Sequence, residues 1–67
     1  MASFRVGAQV TITSGKYAGL SGTVSMIDRE KHPNLRAVLL QSGTGADGVD
    51  HAGNVIVDVS EMIAAVA

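Results

Sequence analysis

Two stretches of this 67-residue chain hold residue types whose spacing could do chemistry. In Ser14-Gly15-Lys16-Tyr17-Ala18-Gly19 an ammonium group and an aromatic ring stand side by side between two glycines. Lysine offers a point charge to phosphate, and tyrosine offers a face for stacking on a base or packing on a partner. The same pair also suits an ordinary turn in which Tyr17 covers the end of a small core. A second basic group, Arg29, Lys31, His32 and Arg36, is interleaved with Asp28 and Glu30. Arg29, Lys31 and Arg36 could extend a contact surface with Lys16, or could form a solvated loop with local ion pairs. All five bases together reach at most about five phosphates, which implies a modest salt dependence.

Other constellations lead nowhere comparable. Gly43-Thr44-Gly45-Ala46-Asp47-Gly48 matches G-x-G-x-x-G. That motif works by aiming a helix N-terminus at a pyrophosphate, and Val49-Asp50-His51-Ala52-Gly53 offers no helix. The stretch is expected to be a flexible loop and no cofactor is expected. Asp47, Asp50 and His51 could approach a metal, but no cysteine and no histidine pair supports them, so none is assigned. His32 and His51 are both expected in loops and solvated. No serine or threonine has a histidine–acid partner legible in sequence, and no carboxylate pair sits in an apolar setting. The chain is expected to bind rather than to catalyse.

The elements that must position these residues are short strands. Phe4, Val6, Ala8, Val10 and Ile12 alternate with Arg5, Gly7, Gln9 and Thr11, a period of two that predicts a half-buried strand. Residues 20–27 predict a second strand, with Leu20, Gly22, Val24 and Met26 on one face. A glycine inside a strand marks a bulge, a bend or a close backbone approach. Residues 28–34 read as a charged loop stiffened by Pro33. Residues 35–41 are apolar on both parities and predict a central strand covered on both faces. Residues 42–54 predict a long mobile loop, residues 55–59 a fourth strand, and residues 60–62 a turn. Residues 63–66 complete the sheet as a last strand or extend as a short helix.

Length and composition set the frame. Sixty-seven residues suffice for one domain, residues 1–67, and such a chain buries only about 60% of its unfolded surface. There is no cysteine, and 46% of residues are hydrophobic. The core must be aliphatic, and a thin margin of stability favours tight β packing or a subunit interface. Residues 1–36 carry five basic and two acidic side chains; residues 37–67 carry four acidic and no basic ones. The net charge of −1 argues against a strongly electrostatic nucleic-acid binder, and any electrostatic role belongs to the first half. No segment resembles a secretory leader or a membrane span, so the expected location is the cytoplasm with no membrane partner.

The run from Val6 through the Gly15-Lys16-Tyr17-Ala18-Gly19 turn to Leu20-Ser21-Gly22-Thr23-Val24 resembles a KOW motif. The downstream layout is similar too: a strand with Val38 to Leu40, a variable loop, then Val55 to Val59 leading into Ser60-Glu61-Met62-Ile63. The resemblance implies an all-β, SH3-like, partly open barrel of about five antiparallel strands. KOW modules contact RNA, polymerase or other proteins in ribosomes and in transcription factors of the NusG type. It therefore implies that residues 15–19 form the contact loop for RNA or a ribonucleoprotein, with Lys16 and Tyr17 at its tip. Gly15 and Gly19 would bracket that loop, and Gly22 would be the signature glycine. The alternative is a protein-interaction or self-assembly module without nucleic acid, motivated by the small core and the near-neutral charge.

Overall fold

Alternating and β-branched segments form five strands in the computed structural model, which describes residues 4–65. They are β1 (Gln9–Ile12), β2 (Ser21–Asp28), β3 (His32–Thr44), β4 (Asp50–Asp58) and β5 (Met62–Ala64). A single 3-10 turn, Val59–Glu61, joins the last two. All neighbours are antiparallel, in the order β4-β3-β2-β1-β5. The terminal strand thus returns to pair with the first, and the sheet curls into a small SH3-like, partly open barrel. The all-β expectation holds, with no α-helix among the described residues.

One face of the sheet makes the core. Val10 and Ile12 from β1, Val24 from β2, Val38 and Leu40 from β3, Val57 from β4 and Met62 from β5 meet there with Leu20. Phe4, Ala8, Tyr17, Ile27 and Val55 pack around them. Fully burying such side chains stabilises by about 1.5–3 kcal/mol each, which the ordering of the backbone largely offsets. Gly22 sits at the centre, opposite Val10 on one side and Leu40 on the other. A Cβ there would collide with the Leu39 carbonyl oxygen and come within 2.8 Å of Val38 Cγ1. The glycine inside the predicted strand therefore marks a close backbone approach.

Several expectations are corrected. The first strand is only four residues long, because Val6 and Gly7 form a turn with Gly7 at φ +94°. Met26 does not share a face with Val24. A register shift between them turns Met26 outward, 65% exposed, and turns Ile27 toward the core. The charged loop at 28–34 is a three-residue turn, with β3 beginning at His32 before Pro33. Asp28 Oδ1 closes that turn by accepting from the Glu30 and Lys31 amides.

β3 is not covered on both faces. Arg36, Val38 and Leu40 are buried, whereas Leu35 and Ala37 are half-buried and Leu39 is 50% exposed on the outer side. The long loop at 42–54 is likewise replaced by structure: β3 runs to Thr44, β4 begins at Asp50, and five residues connect them. A register shift between Leu40 and Gly43 lets the hairpin continue through the glycine-rich stretch. The last strand starts one residue early, at the buried Met62; Val66 lies outside the described residues.

Candidate functional site

Residues 15–19 connect β1 to β2, and their base is closed by short backbone hydrogen bonds. The Ile12 amide donates to Leu20 O and the Gly19 amide to Ile12 O, both at 2.8 Å. The tip turns on Ala18 N to Gly15 O and Leu20 N to Tyr17 O. Gly15 and Gly19 take φ +83° and +92°, a region other residues enter only with strain. Gly15 also lies tight against the 3-10 turn, since a Cβ there would sit 2.5 Å from Glu61 Oε2. This holds Lys16 exposed and Tyr17 half-buried, its ring packed on the rim of the core. The Lys16 ammonium lies 5.1 Å from the Tyr17 ring centroid.

The β3–β4 turn, residues 45–49, docks on this loop. The Asp47 amide donates to the Lys16 carbonyl at 3.4 Å. Gly45 is buried at the junction, where any Cβ would strike that same carbonyl oxygen. Asp47 Oδ1 accepts from the Val49 amide at 3.0 Å, and His51 Nε2 donates to Asp47 Oδ2 at 2.9 Å. The His51 ring then meets the Tyr17 ring at a centroid distance of 4.7 Å and an interplanar angle of 79°. The Val49 backbone N–H, and after it the His51 hydrogen bond, hold the Asp47 carboxyl below its ordinary value. Lys16, Tyr17, His51 and Asp47 therefore form one surface across the β1–β2 loop and the β3–β4 hairpin.

His51 is not the solvated loop residue the sequence implies: it lies half-buried at the start of β4, hydrogen-bonded to Asp47 in the turn. Their spacing of four around Gly48 carried the signal, because a glycine-rich segment read as a hairpin turn brings such positions together. Asp50, the third candidate of that group, instead accepts from Thr44 Oγ at 2.6 Å. Among the described residues no cluster of three histidine, cysteine or acidic side chains is disposed to hold a metal ion. The G-x-G-x-x-G stretch ends β3 and forms most of the turn into β4, with no helix N-terminus after it.

The other predicted contact cations, Arg29, Lys31 and Arg36, are not brought to this surface. Arg29 and Lys31 are exposed in the β2–β3 turn, at the other end of β2. That is roughly 20 Å along the strand at ~3.3 Å per residue. Arg36 is 5% exposed. Its Nε donates to Phe4 O at 2.8 Å, and its Nη1 to Pro33 O and Leu35 O at 2.8 and 2.9 Å. Because it shares the inward parity of Val38 and Leu40, Arg36 ties backbone together inside the barrel and presents no charge to a partner.

The fold is thus a five-stranded barrel whose glycine-bracketed β1–β2 loop presents a lysine and a tyrosine. The family model of the KOW motif matches residues 6–39, and the chain belongs to that family. The match covers β1, the β1–β2 loop, β2 and most of β3, and it ends before the β4 residue His51. Comparison with curated proteins and with solved structures gives no significant match.

Proposed function

We propose that this KOW domain is a cytoplasmic binding module, without catalysis, that contacts RNA within a ribonucleoprotein or transcription assembly. The observation that carries the reading is the docking of the 45–49 turn on residues 15–19. It fixes the Lys16 ammonium and the Tyr17 ring as neighbours on a braced surface, as stacking and phosphate contact require. Family membership supports it. With Arg36 buried and Arg29 and Lys31 at the other end of β2, the loop brings a single lysine to phosphate. Binding through it is weakly salt-dependent, with log K falling against log salt at a slope of about −0.7 for one contact to a single strand.

The test uses Tyr17 itself, the only tyrosine in a chain without tryptophan, as a fluorescent reporter. Single-stranded RNA added at low salt quenches Tyr17 emission with a sub-millimolar Kd. Tyr17→Ala, followed by anisotropy of labelled RNA, costs about 1–3 kcal/mol of binding. No binding below millimolar, or binding indifferent to Lys16→Ala and Tyr17→Ala, removes the reading.

A second reading, self-assembly, is favoured by the outer face of β2-β3-β4. Met26, Ala37 and Ile56 lie in one row by strand register, with Leu35 and Leu39 beside them on β3. Ile56 and Met26 are 62% and 65% exposed. Among the described residues β4 pairs only with β3, so the row runs out to an open strand edge. A second copy of this chain, added edge to edge along β4, would continue both the sheet and the apolar row. Sedimentation equilibrium showing a strict monomer at all accessible concentrations removes this reading.

A further inference from the structure

We infer that His51 is the positioning residue of the contact surface: its hydrogen bond to Asp47 and its edge contact with Tyr17 hold the ring where a partner meets it. The inference rests on the loop reading proposed above and adds to it a residue outside the matched motif, which ends at position 39. Tyr17 is half-buried, with one side of its ring on the core, and the β1–β2 turn alone does not fix the other side. The brace comes from the other loop. His51 Nε2 reaches both Asp47 oxygens, at 2.9 and 3.2 Å, and Asp47 in turn caps the Val49 amide. The Asp47 amide reaches back to the Lys16 carbonyl. The chain of contacts thus runs from Tyr17 through His51 and Asp47 to Lys16, and closes on itself.

A carboxylate only accepts, so the imidazole Nε2 is the donor to Asp47. Asp47 faces the ring from the turn, and Lys16 shares the Tyr17 ring from the β1–β2 loop. Asp50 precedes it on β4 but is engaged by Thr44. Glutamine at position 51 keeps a donor for Asp47 but has no ring to set against Tyr17.

The experiment has two arms on the intact chain. In the free protein, the Tyr17 ring proton shifts are compared by NMR in wild type, His51→Gln and His32→Gln. Wild type and His32→Gln give the same Tyr17 ring shifts, and His51→Gln moves them toward those of a solvated tyrosine. Tyr17 shifts equal in wild type and His51→Gln overturn the inference. In the second arm, affinity for single-stranded RNA is measured for the same three proteins. It is about fivefold weaker in His51→Gln, with Tm unchanged, and level in His32→Gln. RNA bound equally by wild type and His51→Gln overturns the positioning role while leaving the loop reading intact. Tyr17 shifts that move in His51→Gln, with no RNA bound by any of the three proteins, remove the RNA reading and leave His51 as the brace.

Discussion

The Arg36 side chain donates through Nε to the carbonyl of Phe4, 32 residues earlier, at 2.8 Å. This bond fastens the segment ahead of β1 onto β3, and Nη1 secures the start of β3 through Pro33 and Leu35. Removing the guanidinium leaves three carbonyls without their charged donor. Hydrogen bonds to charged groups contribute about 1.5–3 kcal/mol, so Arg36→Ala is expected to destabilise by about 2–3 kcal/mol in urea unfolding. Arg36→Lys recovers little, because an ammonium cannot span the same fork of acceptors. RNA affinity of the folded fraction stays unchanged in both variants.

Gly22 leads to a different kind of cost. Its place between Val10 and Leu40 has no room for a methyl group, which would meet the Leu39 backbone oxygen. Backbone in the middle of a sheet cannot give way as a flexible side chain does. Gly22→Ala is expected to cost at least about 1–3 kcal/mol, as overpacked sites do. Thermal unfolding of the variant measures it, and a Tm equal to wild type contradicts the close approach.

The first two strands and the turn between them are legible in the sequence because two local signals agree there. Period-two alternation placed β1 and β2, and the glycines at 15 and 19 placed the turn between them. Met26 was misassigned because alternation assumes an unbroken register, and the shift between Val24 and Met26 reverses the faces. The charge of Arg36 suggests a surface base, whereas its parity, shared with Val38 and Leu40, puts it inside. The 42–54 segment looked like a loop because its glycines suppress the hydrophobic pattern, although strand pairing there rests on backbone hydrogen bonds that need no side chain. His51 escaped for the same reason: its neighbours in space, Tyr17 and Asp47, meet it only once that hairpin is formed.

Acid sensitivity follows from two carboxylates. The Ser60 backbone N–H holds the Asp58 carboxyl below its ordinary value of 3.8, with the Ser60 side chain adding to it, and Asp47 is held down by Val49 and His51. Both groups bind a proton less readily folded than unfolded. Their contribution to stability is therefore fully present above the ordinary carboxylate range, and is lost as pH falls from about 5 through the depressed folded values. Asp58→Asn keeps an oxygen for the Ser60 amide but has no proton to gain. Circular dichroism melts between pH 6 and 2 are expected to show a shallower fall for this variant than for wild type. Identical profiles would mean that the 3-10 turn contributes nothing to acid sensitivity.

Ile56 separates stability from assembly. Its side chain is 62% exposed on the outer face of β4, beside Ala37 and away from the core. A charge there disturbs little in a monomer, and Ile56→Glu is expected to change the unfolding free energy by no more than about 0.5 kcal/mol. In a dimer joined along β4, two such charges would be drawn toward one interface and would displace its apolar row. Concentration-dependent sedimentation of the wild type is then abolished by Ile56→Glu with Tm nearly unchanged. If the same substitution lowers Tm steeply in a protein that sediments as a monomer, Ile56 belongs to the fold and the outer face is not an interface. Val57, its inward neighbour on β4, provides the contrast: Val57→Glu places a charge in the core and prevents folding at any concentration.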